Sequence, residues 1–369
     1  MNTDQVAARP TPPAEDWNNW QWQMRNRIDT VERLRSWIDV TPDEEEAIRK
    51  SAGRFRWTIT PYYASLMRKD DPACPIRRQA VPSLNEFETY AGADVDPVGD
   101  REYRKTNRVV HKYPDRVMML ITKACPVYCR HCTRKYHTTD IHGSYFAQGE
   151  AESFDDDFQY IADHPEIRDV LISGGDPLMY SDEKLEHILS NLRSISHVEI
   201  LRIGTRFPVL LPMRITEAFG NMLEKYHPLW LNTHFNHVNE ITESSAKACD
   251  TLIRHGIPVQ NQSVLLKGVN DRLDTMKDLL TGLLKIRVRP YYLYHCDNVT
   301  GVSHFVTSVD IGRDIMAGLL GQTTGFAIPQ YVVTTRLGKV PICRDYVESG
   351  DDGHWIEGYQ GDKIHLRHL

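Results

Sequence analysis

No run in this 369-residue chain is long and apolar enough to span a bilayer. The stretch Met1 to Asp16 is polar, carries Pro10, Pro12 and Pro13, and lacks the apolar core of a secretory signal. Neither membrane insertion nor export is expected. Basic charge is not in excess: 44 Lys and Arg stand against 50 Asp and Glu, a formal net charge of −6, which offers no footprint for bulk nucleic-acid binding. Local patches such as Arg101 to Lys112 can still meet phosphate groups. Cysteine is scarce as well. There are seven, an odd number, and Cys74, Cys249, Cys296 and Cys343 stand singly. That excludes a disulfide framework, and thiols expected to stay reduced indicate the cytoplasm.

The other three cysteines stand together. Cys125-Pro-Val-Tyr-Cys129-Arg-His-Cys132 follows the apolar run Val117 to Thr122, with spacing C-x3-C-x2-C. One tight loop thus converges three thiolates, enough to hold three irons of a [4Fe-4S] cluster and leave the fourth open to a ligand. A cluster that only carried electrons would normally be closed by a fourth cysteine, and none lies nearby. The alternative is zinc, with Cys129 and Cys132 as half a site and His131 or His137 completing it. No second C-x2-C or C-x2-H pair stands in the chain to support that.

Two regimes divide the chain. From Trp17 to about Tyr113 the pattern is helical and punctuated. Ile28, Val31, Leu34 and Trp37 recur with helical period, and Thr41-Pro42-Asp43-Glu44 combines a capping threonine, a proline at the first helical position and a reciprocal glutamate. Asp70 to Pro75 reads as a loop, and Ala91 to Asp100, rich in Gly, Pro and Asp, as a linker. From Arg116 onward β-rich runs alternate with amphipathic ones. Strands are expected over 117–122, 169–173, 198–204, 229–235, 259–266 and 288–294, and helices over 183–194, 215–225, 243–255 and 275–286. Six such units imply an α/β fold with a parallel sheet and helices outside, which pattern alone leaves open between a partial barrel and an open doubly wound sheet. In either, function collects at the C-terminal ends of the strands.

The remaining motifs fall there. The glycines of Ser173-Gly174-Gly175-Asp176-Pro177 serve either a tight turn or the approach of a ligand to backbone groups. His234 and His237 would each read alone as a hydrogen-bonded core histidine, but two in one strand-end segment lean towards a site. Tyr291, Tyr292 and Tyr294 follow strand alternation, so at least one should pack, whereas Asp297 just beyond suits ligand contact. Lys339 by itself reads as an ordinary solvated lysine.

In order along the chain, the cysteine loop with Cys132-Thr-Arg134, Ser173-Gly-Gly-Asp-Pro177, Arg202-Ile-Gly-Thr-Arg206, Trp230-Leu-Asn-Thr-His-Phe-Asn-His237, Gln262-Ser-Val-Leu-Leu266, Gly268-Val-Asn-Asp271 and Arg289-Pro-Tyr-Tyr292 closely resemble the lysine 2,3-aminomutase family of radical SAM enzymes. The resemblance runs from Asp16 to about Pro341. It implies a radical SAM partial (β/α)6 barrel over 111–322, an α-helical N-terminal region over 1–110 and a C-terminal segment over 323–369 with a pyridoxal-phosphate loop. It also implies a reaction: transfer of an amino group from the α to the β carbon of an amino acid, using S-adenosylmethionine, a [4Fe-4S] cluster and pyridoxal phosphate. Cys125, Cys129 and Cys132 would ligate the cluster. Gly174, Gly175 and Asp176 would border the methionyl group, and His234 and Gln262 would line the nucleoside region. Tyr331 to Pro341 resembles the coenzyme loop, with Lys339 as the lysine that bonds the coenzyme, and Tyr113 and Arg116 as the residues that cover and anchor it. Arg134 would pair with the substrate carboxylate. An electron donor such as flavodoxin or ferredoxin is implied, and a homo-oligomer is compatible with the resemblance.

Departures from the family pattern bear on the substrate. Lysine-specific members hold the terminal ammonium with two aspartates; one matches Asp297, but the other falls at Thr334. Glutamate-using members place a lysine and an asparagine there, and Asp297 would repel an acidic side chain. A basic substrate, L-arginine or L-lysine, is expected. Arginine suits the pair because a guanidinium can fork onto Asp297 and hydrogen-bond Thr334. The coenzyme loop is two residues shorter than the family form, with Arg336 and Leu337 intruding, and His304-Phe-Val-Thr-Ser308 lacks an arginine that members carry. Arg272 stands where some members have a zinc-binding cysteine and no cysteine follows Cys343, so intersubunit zinc is not expected. The alternatives are an aminomutase acting on another amino acid or on a protein lysine, and a cluster-binding protein without turnover. Retention of every expected cofactor residue stands against the last.

Overall fold

The computed structural model describes residues 9–139, 153–350 and 353–366. The first eight residues of the polar N-terminal stretch lie outside the described residues. One sheet holds nine strands in sequence order: β1 (Val109–Tyr113), β2 (Arg116–Leu120), β3 (Asp169–Ser173), β4 (Ile200–Gly204), β5 (Leu229–Thr233), β6 (Val259–Leu265), β7 (Arg289–His295), β8 (Gln330–Thr335) and β9 (Gly338–Pro341). Strands β2 to β8 pair in parallel, and β1 and β9 close the two edges as antiparallel hairpin partners. The six expected strands are β2 to β7, and the sheet curls into a nearly closed partial barrel. A second sheet of β10 (Val347–Gly350), β11 (Gly353–Glu357) and β12 (Lys363–Leu366) follows it.

Strand alternation sorts the barrel's side chains. Val170, Ile172, Leu201, Ile203, Leu229, Leu231 and Val259 belong to the core that also holds Leu185, Ile188, Leu189 and Leu192 of the helix Asp182–Ser194 and Leu279, Leu280 and Leu283 of the helix Leu273–Lys285. The residues between them, among them Leu171, Arg202, Trp230, Asn232, Gln260 and Gln262, line an internal cavity. Each large aliphatic side chain on the outer face contributes about 1.5–3 kcal/mol by leaving water. The polar interruptions of these apolar strands are therefore the inward positions. Helix starts follow their caps: Thr41 Oγ1 accepts from Glu44 N (3.2 Å) and Glu44 Oε2 accepts from Thr41 N (2.8 Å), with Pro42 at the first position. Such a cap is worth about 1 kcal/mol.

Two expectations need correction. The N-terminal region is helical but finely broken, into six α-helices between Ala14 and Ala80 of which Pro42–Ser51 is the longest. It ends in a strand, β1, whose apolar pair Val109-Val110 is too short to show a period and which is held by its hairpin with β2. Nor is Ala91 to Asp100 a spacer. Asp94 N donates to the Asn298 carbonyl (3.1 Å), Thr300 N to the Asp94 carbonyl (2.9 Å), and Lys112 Nζ ties the Val98 and Thr335 carbonyls together (2.8 and 2.5 Å). The stretch is pinned across the cavity to the β8–β9 hairpin.

Candidate active site

The cavity measures about 870 Å³, near the upper end of the roughly 300–1,000 Å³ usual for small-molecule sites. The residues expected to bind the cluster, the cofactors and the substrate all line it, although they come from 113 to 339 in the chain.

The cysteine loop is braced from below. A Cβ on Gly175 would stand 2.3 Å from the Ala124 carbonyl oxygen, and one on Gly174, whose φ is +135°, would stand 2.5 Å from that of Thr122. Only glycine permits this approach of two backbones. Gly175 N donates to Thr122 O (2.5 Å) and Asp176 N to Ala124 O (2.8 Å), so the motif after β3 is bonded directly to the chain entering the cysteines. The Asp176 carboxylate accepts from Thr205 Oγ1 (2.7 Å), Arg206 N (2.7 Å) and Leu178 N (3.1 Å). Burial pushes its pKa up to about 6, against those hydrogen bonds.

Cys125, Cys129 and Cys132 share the cavity wall. Among the described residues no three His, Cys, Asp or Glu side chains gather around a single ion-sized point. His131, offered for zinc, bonds through Nε2 to Asn236 Nδ2 (3.2 Å).

At the other end, Lys339 Nζ lies 4.8 Å from the centre of the Tyr292 ring and 5.1 Å from that of Tyr294. Its side chain lines the cavity but stays open to solvent, and its pKa falls to about 7: the surrounding protein first, then the cations Arg202, Arg116 and Arg134, with Asp297 opposing. A partly uncharged amine is what carbonyl attack requires. Tyr113 Oη accepts from Lys339 N (3.0 Å), and the Arg116 guanidinium lies 3.9 Å above the Tyr113 ring. Lysine, ring and arginine thus form one corner, with the chemistry to hold an aromatic aldehyde that bears a phosphate.

Arg134 donates through Nε to Asp100 Oδ2 (2.6 Å), which turns its guanidinium along the cavity wall. Asp297 Oδ2 accepts from Thr133 Oγ1 (2.7 Å). Among the described residues no lysine or arginine is ion-paired with Asp297, and burial pushes its pKa up to about 6. Thr334 lies on β8 directly opposite Lys339 on β9. Gln262 and His234 face the same space, and burial, followed by the nearby Arg206 and Arg134 charges, lowers the His234 pKa to about 3, so it is neutral.

Two readings of this region do not survive. His237 leaves the cavity: its side chain accepts from Asn239 N and caps the short helix Val238–Glu240. All three tyrosines face inward, because β7 carries one residue more than β6 at the Asn261–Gln262 step and the alternation breaks there. The rings of Tyr291 and Tyr292 consequently lie 3.9 Å apart.

Residues 119–280 match the Radical SAM superfamily. Over 337 residues the chain is 49% identical to the L-lysine 2,3-aminomutase of Acetoanaerobium sticklandii, covering 91% of this chain and 80% of that protein. It is also 49% identical over 336 residues to that of Clostridium subterminale, covering 90% and 80%.

The chain belongs to the lysine 2,3-aminomutase family. It is a radical SAM aminomutase of that type, hence an isomerase, and enzymes of the family use a [4Fe-4S] cluster, S-adenosylmethionine and pyridoxal phosphate. The family also reaches the glutamate 2,3-aminomutase of Clostridioides difficile, 42% identical over 355 residues and covering 95% of this chain and 83% of that protein. Membership alone therefore leaves the substrate side chain undetermined. No helix among the described residues is long and apolar enough to cross a membrane.

Sequence reasoning overlooked Asp100, placed in a supposed linker, and the pair Arg202 Nε–Asp169 Oδ1 (2.8 Å) across β4 and β3. Arg202 did carry a signal: it is a charged residue between Leu201 and Ile203, at an inward position of a buried strand.

Proposed function

We propose that this chain is a pyridoxal-phosphate-dependent 2,3-aminomutase of a basic α-amino acid, L-arginine foremost. The observation that carries the reading is Asp297: a half-buried carboxyl on the cavity wall, steadied by one threonine and ion-paired with no lysine or arginine among the described residues. Arg134 and Lys112 act on it from a distance without pairing with it, which leaves the carboxylate free to take a substrate cation. Thr334, shorter than a second aspartate, leaves room for a planar guanidinium and can accept one of its hydrogen bonds.

The other roles follow from chemistry at each position. Cys125, Cys129 and Cys132 hold the cluster, and Gly174, Gly175 and Asp176 shape the wall beside the methionyl group. Gln262 and His234 line the nucleoside end. Lys339 bears the coenzyme, Tyr113 covers its ring and Arg116 meets its phosphate. Arg134 grips the substrate carboxylate, with Asp100 fixing the guanidinium plane. When bound, the cluster and S-adenosylmethionine supply a hydrogen-abstracting radical, and pyridoxal phosphate supplies the conjugated system that lets nitrogen migrate. The protein orients these parts and keeps the Lys339 proton exchangeable near neutrality. The cytoplasm suits seven unpaired cysteines, and flavodoxin or ferredoxin suits the one-electron demand.

The test is anaerobic reconstitution with iron, sulfide, pyridoxal phosphate, S-adenosylmethionine and dithionite, then separate assays of arginine, lysine, glutamate and alanine for the β-amino acid by mass spectrometry. Product from arginine is expected. Product from lysine but not arginine would overturn the assignment of Thr334, and product from glutamate would overturn that of Asp297.

A further inference from the structure

Arg206 begins the turn after β4 and is buried with its guanidinium fully engaged. Nε donates to the His234 carbonyl (2.9 Å), Nη2 to Glu240 Oε1 and Gln79 Oε1 (both 2.6 Å), and Nη1 to Cys129 Sγ (2.9 Å). Its backbone N–H donates to Asp176 Oδ2 (2.7 Å). Glu240 is held in turn by Tyr63 Oη (2.7 Å) and Asn236 N (2.6 Å). Partners on the N-terminal region, the β3 turn and the β5 turn thus place the guanidinium without help from the thiol.

Reduction of an iron–sulfur cluster adds one electron, and part of that charge falls on the cysteine sulfurs. Hydrogen bonds to those sulfurs favour the reduced form and raise the potential. A charged donor makes such a bond stronger than a neutral one does where water is excluded. Glu240 neutralises the far side of the guanidinium, so the influence on the cluster is directed through the Nη1–H bond rather than spread as net charge.

Resting on the reading that Cys125, Cys129 and Cys132 hold the cluster, we propose that Arg206 is a positioning residue which donates to the Cys129 thiolate and raises the reduction potential of the cluster. No part of the substrate site has to touch Arg206 for this.

The experiment is a dithionite titration of the reconstituted full-length enzyme, followed by electron paramagnetic resonance of the reduced cluster, on the natural chain and on Arg206→Gln, Arg206→Lys and Thr58→Val. Thr58 Oγ1 donates to the Pro126 carbonyl in the same loop (3.3 Å), so its variant loosens the loop without removing charge. Arg206→Gln is expected to lower the equilibrium constant for one-electron reduction about tenfold, a shift of about 59 mV to more negative potential. Arg206→Lys should lie between, and Thr58→Val at the natural value even if it holds less iron. A full complement of iron at the natural potential in Arg206→Gln would overturn the proposal. If Arg206→Gln takes up no iron, Arg206→Lys decides: a potential below the natural value supports the proposal, and the natural value overturns it. Failure of the natural chain to take up iron would instead overturn the cluster reading, and this inference with it.

Discussion

Thr334 and Lys339 are register partners across the β8–β9 hairpin, so the residue that replaces one substrate-binding aspartate stands opposite the coenzyme lysine. A change at 334 therefore acts on both. Thr334→Asp is expected to shift the ratio of kcat/KM for lysine over arginine about tenfold toward lysine, the worth of one added charge contact near 1.4 kcal/mol. The added carboxylate should also raise the Lys339 pKa from about 7. An unchanged substrate ratio would remove Thr334 from recognition.

Asp297 fixes a pH dependence. Its pKa in the fold, about 6, lies above the ordinary 3.8, so folding favours the protonated form. The stabilising contribution is whole below about pH 4 and is lost as pH rises through about 6. Asp297→Asn should consequently stabilise the ligand-free protein at about pH 7.5 by roughly 1–3 kcal/mol, with little gain at about pH 4, as thermal melts would show. Binding runs the other way. The ionised carboxylate takes the cation, so KM for a basic substrate should fall as pH rises through about 6 in the natural enzyme. A KM that stays flat across that interval would contradict the role.

Close backbone approach at the cysteine loop predicts a sharp difference between two glycines. Gly175→Ala drives a methyl to 2.3 Å from the Ala124 carbonyl oxygen, whereas Gly204→Ala meets nothing nearer than 3.6 Å. The first should cost about 1–3 kcal/mol or more and reduce iron uptake on reconstitution; the second should leave both nearly unchanged. Iron and sulfide analysis beside a melting curve checks it.

Arg134 offers a guanidinium fork that lysine cannot reproduce. Arg134→Lys should raise KM roughly 10–100-fold, the loss of one charged hydrogen bond, with a smaller effect on kcat. Asp100→Asn should raise KM less, because it only frees the guanidinium to turn. Equal losses in kcat and kcat/KM for Arg134→Lys would place the residue in the chemical step instead.

What was legible in the sequence was local. Cys125, Cys129 and Cys132 announce themselves because three thiols sit within eight residues, and β2 to β7 because each unit repeats strand and helix periods. Gly174 and Gly175 were visible as glycines, but not the reason for them, which is the backbone at Thr122 to Ala124, about fifty residues earlier in the chain. Asp100 and Arg134 lie 34 residues apart. Nothing in Ala91 to Asp100 marks it as a wall of the cavity, since its place arises from contacts with Asn298 and Lys112. The inward Tyr291 depends on a one-residue bulge, and the outward His237 on a cap, both set by neighbours rather than by the strand's own pattern.

The central claim is that nitrogen moves from carbon 2 to carbon 3 of arginine within one molecule. The most direct measurement supplies arginine labelled with nitrogen-15 at the α-amino group to the reconstituted enzyme and locates the label in the product by carbon-13 and nitrogen-15 magnetic resonance. The label is expected on carbon 3, undiluted by unlabelled ammonia in the buffer. Label lost to solvent, or cleavage of S-adenosylmethionine with the label still on carbon 2, would contradict the account.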